Sequence, residues 1–100
     1  MAARVRAEAR RLADRRPGKA IELRIPPYAA VQLGAPGAGT HRRGTPPSVV
    51  EMNAPTFLAL LDGTLTWSQA LADHQVSASG AHADLADLFG AQVVEERGTV

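Results

Sequence analysis

A glycine- and proline-rich segment, residues 34–47, restricts the fold of this 100-residue chain more than any other feature. Its four glycines and three prolines exclude a continuous helix or strand there. A chain of this length suits one domain, and the segment is too short a linker to divide it into two. We therefore predict a single domain over residues 1–100, in which a loop joins two groups of secondary structure elements.

Three elements are predicted before this loop. Apolar residues at i, i+4 and i+7 predict a basic helix over residues 3–15. The Pro-Gly pair at residues 17–18 ends it, so residues 1–17 form an N-terminal basic helical region. Residues 19–25 and 28–33 alternate between apolar and polar, so we expect two strands that form a bent antiparallel pair around two prolines. The apolar positions of the helix are Val5, Ala9 and Leu12.

A third strand and a capped helix are predicted after the loop. Residues 48–52 place Val50 and Met52 on one side of a strand. Asn53 is a favourable N-cap for the helix that follows, and Gly63 is a favourable end for it. This helix carries the first of the large apolar side chains in the second half of the chain.

A second, shorter helix begins with a capping-box pattern at residues 66–69. Its inner face is expected to carry Trp67, Ala70 and Leu71. The two helices separate the flanking strands by more than twenty residues, a length typical of a crossover, so we expect those strands to be parallel. The result is an α+β fold, a mixed sheet of four to five strands with helices on one face.

The C-terminal part is predicted to contain a strand, a helix and a tail. Residues 75–79 form the strand, with Val76 and Ala78 pointing inward. A helix then runs from Ser79 or Gly80 to its end at residue 90. Residues 90–100 are either a loose tail or a short edge strand.

Charge is divided unequally between the two halves of the chain. Residues 1–50 have ten basic and three acidic side chains (+7), and residues 51–100 have one basic and seven acidic (−6). The first interpretation is a basic face that attracts nucleic acid or anionic lipid; the second is that the two halves attract each other in the folded domain, or that the arginines simply solvate a helix. We favour the second interpretation and expect no nucleic-acid partner, because no recognised nucleic-acid motif or aromatic side chain lies among the arginines.

Polar groups suggest little chemistry. The glycine-rich loop is not a phosphate-binding loop, because the single lysine, Lys19, lies elsewhere. Beside it, Arg42 and Arg43 could bind an anion, although an exposed solvated loop is the simpler interpretation. Serines, histidines and an aspartate around residues 74–84 contain neither a nucleophile elbow nor a metal-ligand spacing, and the chain has no cysteine. We predict no enzymatic activity, no cofactor and no metal.

No apolar run is long enough for a membrane span and no secretory signal begins the chain, so we expect a cytoplasmic protein. What remains is an apolar set in the second half, for which an ordinary core is the first explanation. The set comprises Phe57, Leu58, Leu61, Leu65, Trp67, Leu71, Val76, Leu85, Leu88 and Phe89.

The order of segments resembles the sterol carrier protein type 2 family, in a compact bacterial branch. The resemblance covers roughly residues 19–89 and rests on an ordered series of motifs rather than on one. They are residues 21–32 (IELRIPPYAAVQ), 43–47 (RGTPP), 49–63 (VVEMNAPTFLALLDG), 65–72 (LTWSQALA), 76–80 (VSASG) and 83–88 (ADLADL).

This resemblance implies a non-enzymatic carrier with an apolar tunnel between sheet and helices, lined by the ten apolar residues above. The ligand would be a fatty acyl chain, a sterol or another lipid, with peripheral membrane contact at most. An empty void of about 300 Å³ would cost roughly 7 kcal/mol, a large part of the stability of a small domain. Without ligand, the tunnel should therefore be collapsed, wetted or sealed by a second subunit. The alternative function is a protein-interaction or dimerisation module with a filled core.

Overall fold

The computed structural model describes residues 1–35 and 48–89. A short helical turn at residues 86–89 follows the last strand. In chain order the elements are helix α1 (Ala2–Arg15), strands β1 (Ile21–Ile25), β2 (Ala29–Leu33) and β3 (Ser48–Met52), helices α2 (Ala54–Asp62) and α3 (Trp67–Ala72), and strand β4 (Val76–Ser79).

Within these residues the four strands form one mixed sheet in the order β2-β1-β3-β4. β1 pairs with β2 antiparallel, as the sequence predicts, and with β3 parallel. The parallel pair is possible because β2 runs back along β1, so that Leu33 at its end and Ser48 at the start of β3 both pair with Ile21. The predicted α+β class with a mixed sheet is confirmed.

The sheet has one buried face and one polar face. Alternate residues of the strands point inward and are almost fully buried, whereas Glu22, Arg24 and Glu51 point the other way and are exposed or half-buried. The helices therefore cover a single face, as predicted. The inward residues include Ile21, Leu23, Ile25, Leu33, Val50, Met52 and Val76.

Helix α1 packs on the β2 side of the sheet through its narrow apolar stripe. The three stripe residues are at most 2% exposed. Arg4 donates to Asp62 at 2.8 Å, Arg6 donates to the backbone carbonyl of Tyr28 at 3.1 Å, and Arg16 forms an ion pair with Asp87. Two of these contacts join the basic first half to the acidic second half, which supports mutual attraction as the reason for the charge division.

The predicted parallel arrangement of β3 and β4 is wrong: the two strands are antiparallel, and Met52 is paired with Val76. Gly63 adopts a left-handed conformation that ends α2, and Thr66 then begins α3 after a short turn. The second helix returns the chain toward the place where the first began, so the two helices act as a hairpin rather than as a crossover. β4 therefore starts beside the end of β3.

Two further expectations are corrected near β4. Ala78 is exposed rather than inward, because it lies on the short strand at the edge of the described sheet. The last helix begins at Ala86 instead of at Ser79 or Gly80. The physical reason is Ser48, whose hydroxyl accepts a hydrogen bond from the His82 amide at 2.8 Å and holds the chain in a turn.

The predictions for the loop beyond Ala35 and for residues 90–100 lie outside the described residues.

Candidate functional site

Three aromatic side chains, Phe57, Trp67 and Phe89, meet in the core and form what we call the aromatic cluster. Phe89 lies between the other two. Its ring is stacked on Trp67, with centroids 6.0 Å apart and planes at 14°, and meets Phe57 edge-on, at 6.4 Å and 87°. All three side chains are at most 6% exposed. The cluster brings together residues from α2, α3 and the terminal helical turn that are up to 32 positions apart.

Local capping places the first two rings. Asn53 accepts a hydrogen bond from the Thr56 amide at 2.9 Å, which fixes the start of α2 at Ala54, three residues before Phe57. Thr66 and Gln69 form a complete capping box, so Trp67 is the first residue of α3. Both caps were predicted from the sequence, because they depend on residues three positions apart.

The third ring is placed by long-range contacts. Phe89 is the last described residue of a helical turn that begins at Ala86, whose amide donates a hydrogen bond to the preceding Asp84 at 2.9 Å. On the outside of this turn, Asp87 pairs with Arg16 at the end of α1. Burial of Leu85, Leu88 and Phe89 itself supplies the remaining attachment to the core.

The other residues of the predicted ligand-binding set surround the aromatic cluster unequally. Val76, Leu85 and Leu88 are buried in the core. Leu71 is 40% exposed, so its predicted place on the inner face of α3 is wrong, because the six-residue helix buries only its Trp67 and Ala70 side. The half-buried members, which pack against the core and which we call the leucine rim, are Leu58, Leu61 and Leu65.

The region between sheet and helices offers apolar contact and little else. Its buried polar side chain, Thr56, donates its hydroxyl hydrogen to Gln75 at 3.2 Å. In the described part of the chain, every buried side-chain nitrogen or oxygen has a hydrogen-bond partner. A guest there would be held by burial and dispersion.

A second concavity, which the sequence did not indicate, lies at the β1–β2 turn. It is an open groove of about 410 Å³, and it lies where the polar face of the sheet meets a Pro-Pro-Tyr turn. Arg24, which lines this groove, donates a hydrogen bond to the Glu22 carboxylate. This bond keeps the pKa of the Glu22 carboxyl below its usual value. The groove residues are Arg24, Pro26, Pro27, Tyr28, Ala29, Ala30 and Glu51.

The polar candidates are not assembled into a site. Arg42 and Arg43 lie outside the described residues. His74 and His82 are exposed at opposite ends of β4. Within residues 1–35 and 48–89, no three His, Asp or Glu side chains are grouped so that they could hold a metal ion. No helix in those same ranges is long and apolar enough to cross a lipid bilayer.

Comparison with known families agrees with this architecture. The family model described as bacterial SCP ortholog matches residues 1–90, which includes α1, the whole sheet and the aromatic cluster. A comparison with curated proteins finds no match. The family match covers nine-tenths of the chain and extends the resemblance, which began at residue 19, to the first residue. The chain belongs to the family of bacterial orthologs of the sterol carrier protein.

Proposed function

We propose that this protein binds a hydrocarbon-like ligand, fatty-acyl or sterol-like, between the sheet and the α2–α3 pair, without acting on it chemically. One observation carries the proposal: the apolar layer is continuous from the buried aromatic cluster to the half-buried leucine rim. A ligand that enters at the leucine rim would contact carbon atoms along the whole of this layer. Membership of the bacterial SCP ortholog family supports the same function.

The aromatic cluster also sets the energetics of binding. Its rings contact one another, so the form without ligand avoids the roughly 7 kcal/mol that an empty void of about 300 Å³ would cost. A ligand must therefore move side chains to enter. Each buried methylene contributes about 0.8 kcal/mol, so about nine of them would offset a rearrangement of that size. The binding affinity should therefore rise steeply as the ligand chain approaches about nine methylenes.

The test is a titration of the protein with octanoate and with hexadecanoate, followed by native mass spectrometry and by fluorescence of Trp67, the single tryptophan. We expect a saturable one-to-one complex with hexadecanoate and none with octanoate at the same concentration. Absence of any complex with the long chain would overturn the proposal.

A pair of lysine substitutions locates the ligand. Leu58→Lys places a charge on the leucine rim and should weaken hexadecanoate binding about tenfold or more, because the ammonium must be kept in water. Gln32→Lys adds the same charge on the polar face of the sheet and should leave binding unchanged. Equal effects of the two substitutions would show either that the ligand binds elsewhere or that the loss of affinity is a general effect of the added charge.

A second candidate function is a protein-interaction or dimerisation module with a permanently filled core. The observation that favours it is the direct contact among the three rings, which needs no guest. Leu71, 40% exposed, would then lie in an interface. Light scattering distinguishes the two: a ligand-free dimer that Leu71→Lys converts to monomers supports this module, and a monomer that takes up hexadecanoate supports the carrier.

The remaining parts of the proposal concern partners and location. We propose an apolar small molecule or lipid as the partner, no nucleic acid, and peripheral contact with a membrane at most. A cytoplasmic location stays a prediction.

A further inference from the structure

The open groove at the β1–β2 turn lies on the polar face of the sheet and takes no part in the proposed carrier function. Its floor is a row across three strands, because Arg24 on β1 is paired with Ala30 on β2 and with Glu51 on β3. Ala30 carries only a methyl group, so it leaves space beside the long Arg24 side chain. Ala29 and the turn residues 26–28 complete the lining.

Hydrogen bonds hold the turn that forms one side of this groove. The Tyr28 amide donates to the Ile25 carbonyl at 2.8 Å, and the Tyr28 carbonyl accepts a hydrogen bond from Arg6 of α1 at 3.1 Å. Much of the floor belongs to β1 and β3, the two central strands of the described sheet. The groove is therefore formed before a ligand arrives, which lowers the entropic cost of binding.

The charges at the groove are unequal. Arg24, the one cation of the described lining, donates from Nε and Nη2 to the Glu22 carboxylate at 2.8 and 3.4 Å. This hydrogen bond is the main reason why the pKa of Arg24 is raised, and the nearby charge of Glu51 adds a smaller contribution. Among the described residues, Glu51 has no ion pair of its own. Two carboxylates around one guanidinium leave one excess negative charge, which attracts a cation and repels an anion.

The size and lining of the groove limit its ligand further. Its volume of about 410 Å³ lies within the roughly 300–1,000 Å³ of small-molecule sites. At about 30 Å³ for each water molecule, this volume corresponds to about a dozen non-hydrogen atoms. The lining consists of two prolines, one tyrosine and two alanines beside the two charged residues, a mainly apolar set with few polar groups that is typical of such sites.

We propose that this groove is a second binding site, and that its ligand is a small organic cation with an apolar body. The Glu51 carboxylate binds the charged end of the ligand, and the turn residues 26–28 contact its apolar part. The aromatic residue of this turn adds attraction for a cation. The inference is independent of the carrier function, because the groove and the aromatic cluster lie on opposite faces of the sheet.

A titration of the nitrogen-15-labelled protein with 4-phenylbutylammonium, followed by amide chemical shifts, tests the proposal. We expect saturable shifts of the Ala29, Ala30 and Glu51 amides, with a dissociation constant on the order of a few millimolar for a ligand of this size in an open site. Two related probes separate charge from apolar contact. 4-Phenylbutanoate has the opposite charge and butylammonium lacks the ring, so each should bind at least about threefold more weakly.

Two pairs of variants locate the ligand. Glu51→Gln removes the excess charge and should weaken the binding of 4-phenylbutylammonium about threefold or more, whereas Asp73→Asn, at an exposed acid after α3, should change it less than about 1.5-fold. Ala30→Leu fills the floor of the groove and should abolish the saturable shifts. Gln32→Leu, on the same face of β2 but outside the lining, should preserve them. All four positions are exposed, and the spectrum of each variant without ligand verifies its fold.

Three results would overturn the second site. They are the absence of saturable shifts at the groove, an affinity that neither Glu51→Gln nor Ala30→Leu lowers relative to its control, and equal affinity for 4-phenylbutanoate. Shifts confined to the core around Phe57 and Trp67 count as absence at the groove. None of these results bears on the carrier function, which the hexadecanoate titration tests separately.

Discussion

The two ends of the described chain contribute to the same core in different ways. Helix α1 has fourteen residues, a fully buried stripe and arginines that bind α2, the hairpin turn and the terminal turn. The turn at residues 86–89 rests mainly on burial, because Leu85, Leu88 and Phe89 are at most 3% exposed. The difference indicates that polar contacts with three other elements reinforce the burial of α1, whereas the described part of the turn depends mainly on its apolar side chains and on one ion pair.

The largest expected effect on stability lies in the fully buried core. Leu23 is fully buried on the central strand β1, so Leu23→Ala should lower the free energy of unfolding by about 2–5 kcal/mol. Leu61→Ala on the half-buried leucine rim should lower it by about 1 kcal/mol, because less surface is buried there. Urea unfolding measures both. Equal losses would remove the distinction between the fully buried core and the half-buried leucine rim.

The next effect concerns the connection between β4 and the terminal turn. Gly80 has φ +102°, and a Cβ placed there would lie 2.5 Å from the Ser48 hydroxyl oxygen and 2.7 Å from the Ser48 Cα. Gly80→Ala should therefore cost about 1–3 kcal/mol in urea unfolding. Ala81→Ser, at the exposed next position, is the control and should be nearly neutral. A neutral Gly80→Ala would mean that the close approach to Ser48 does not fix this connection.

A smaller effect is expected at the outer attachment of the turn. Asp87→Asn removes the ion pair with Arg16, and since the Asp87 carboxylate is about half exposed the loss should be at most about 1 kcal/mol. It should shrink as salt is raised to 1 M. Hydrogen exchange of the 86–89 amides should accelerate while that of α1 does not. Acceleration in both would show that the turn and the helix open together.

The smallest effect is expected on the polar face of the sheet. The hydrogen bond from Arg24 lowers the pKa of Glu22 from 4.5, so folding is favoured by this group above pH 4.5 and the gain is lost as pH falls through the lowered value. Glu22→Gln should thus lose less thermal stability than wild type between pH 4.5 and 3, with similar melting at pH 7. Identical profiles of thermal stability against pH would mean that the Glu22–Arg24 pair contributes nothing to stability.

Local chemistry accounts for what could be predicted from the sequence. Asn53, Gly63 and the Thr66–Gln69 capping box act within four residues, and each helix boundary that they predict is present. The strand hairpin was predictable for the same reason, since its alternation is visible in five residues at a time. Membership in the bacterial SCP ortholog family was also visible as an ordered series of such local motifs.

Contacts between distant residues account for what could not be predicted. The orientation of β4 depends on how two short helices pack against each other, and no local pattern within either helix indicates this. The exposure of Ala78 depends on which strand lies at the edge, and the late start of the last helix depends on Ser48, 34 positions from its partner His82. The apolar set was correctly chosen as a group, but only its packing shows that Phe89 fills the space between Phe57 and Trp67.

The central claim is that a hydrocarbon guest enters the apolar layer between the sheet and α2–α3. The most direct measurement is an isotope-filtered nuclear Overhauser experiment on the labelled protein with unlabelled hexadecanoate. The account predicts cross-peaks from the ligand methylenes to Leu58, Leu61 and the Trp67 indole, with none to the polar face at Ala30. Cross-peaks confined to the groove at the β1–β2 turn, or none at saturating ligand, would contradict it.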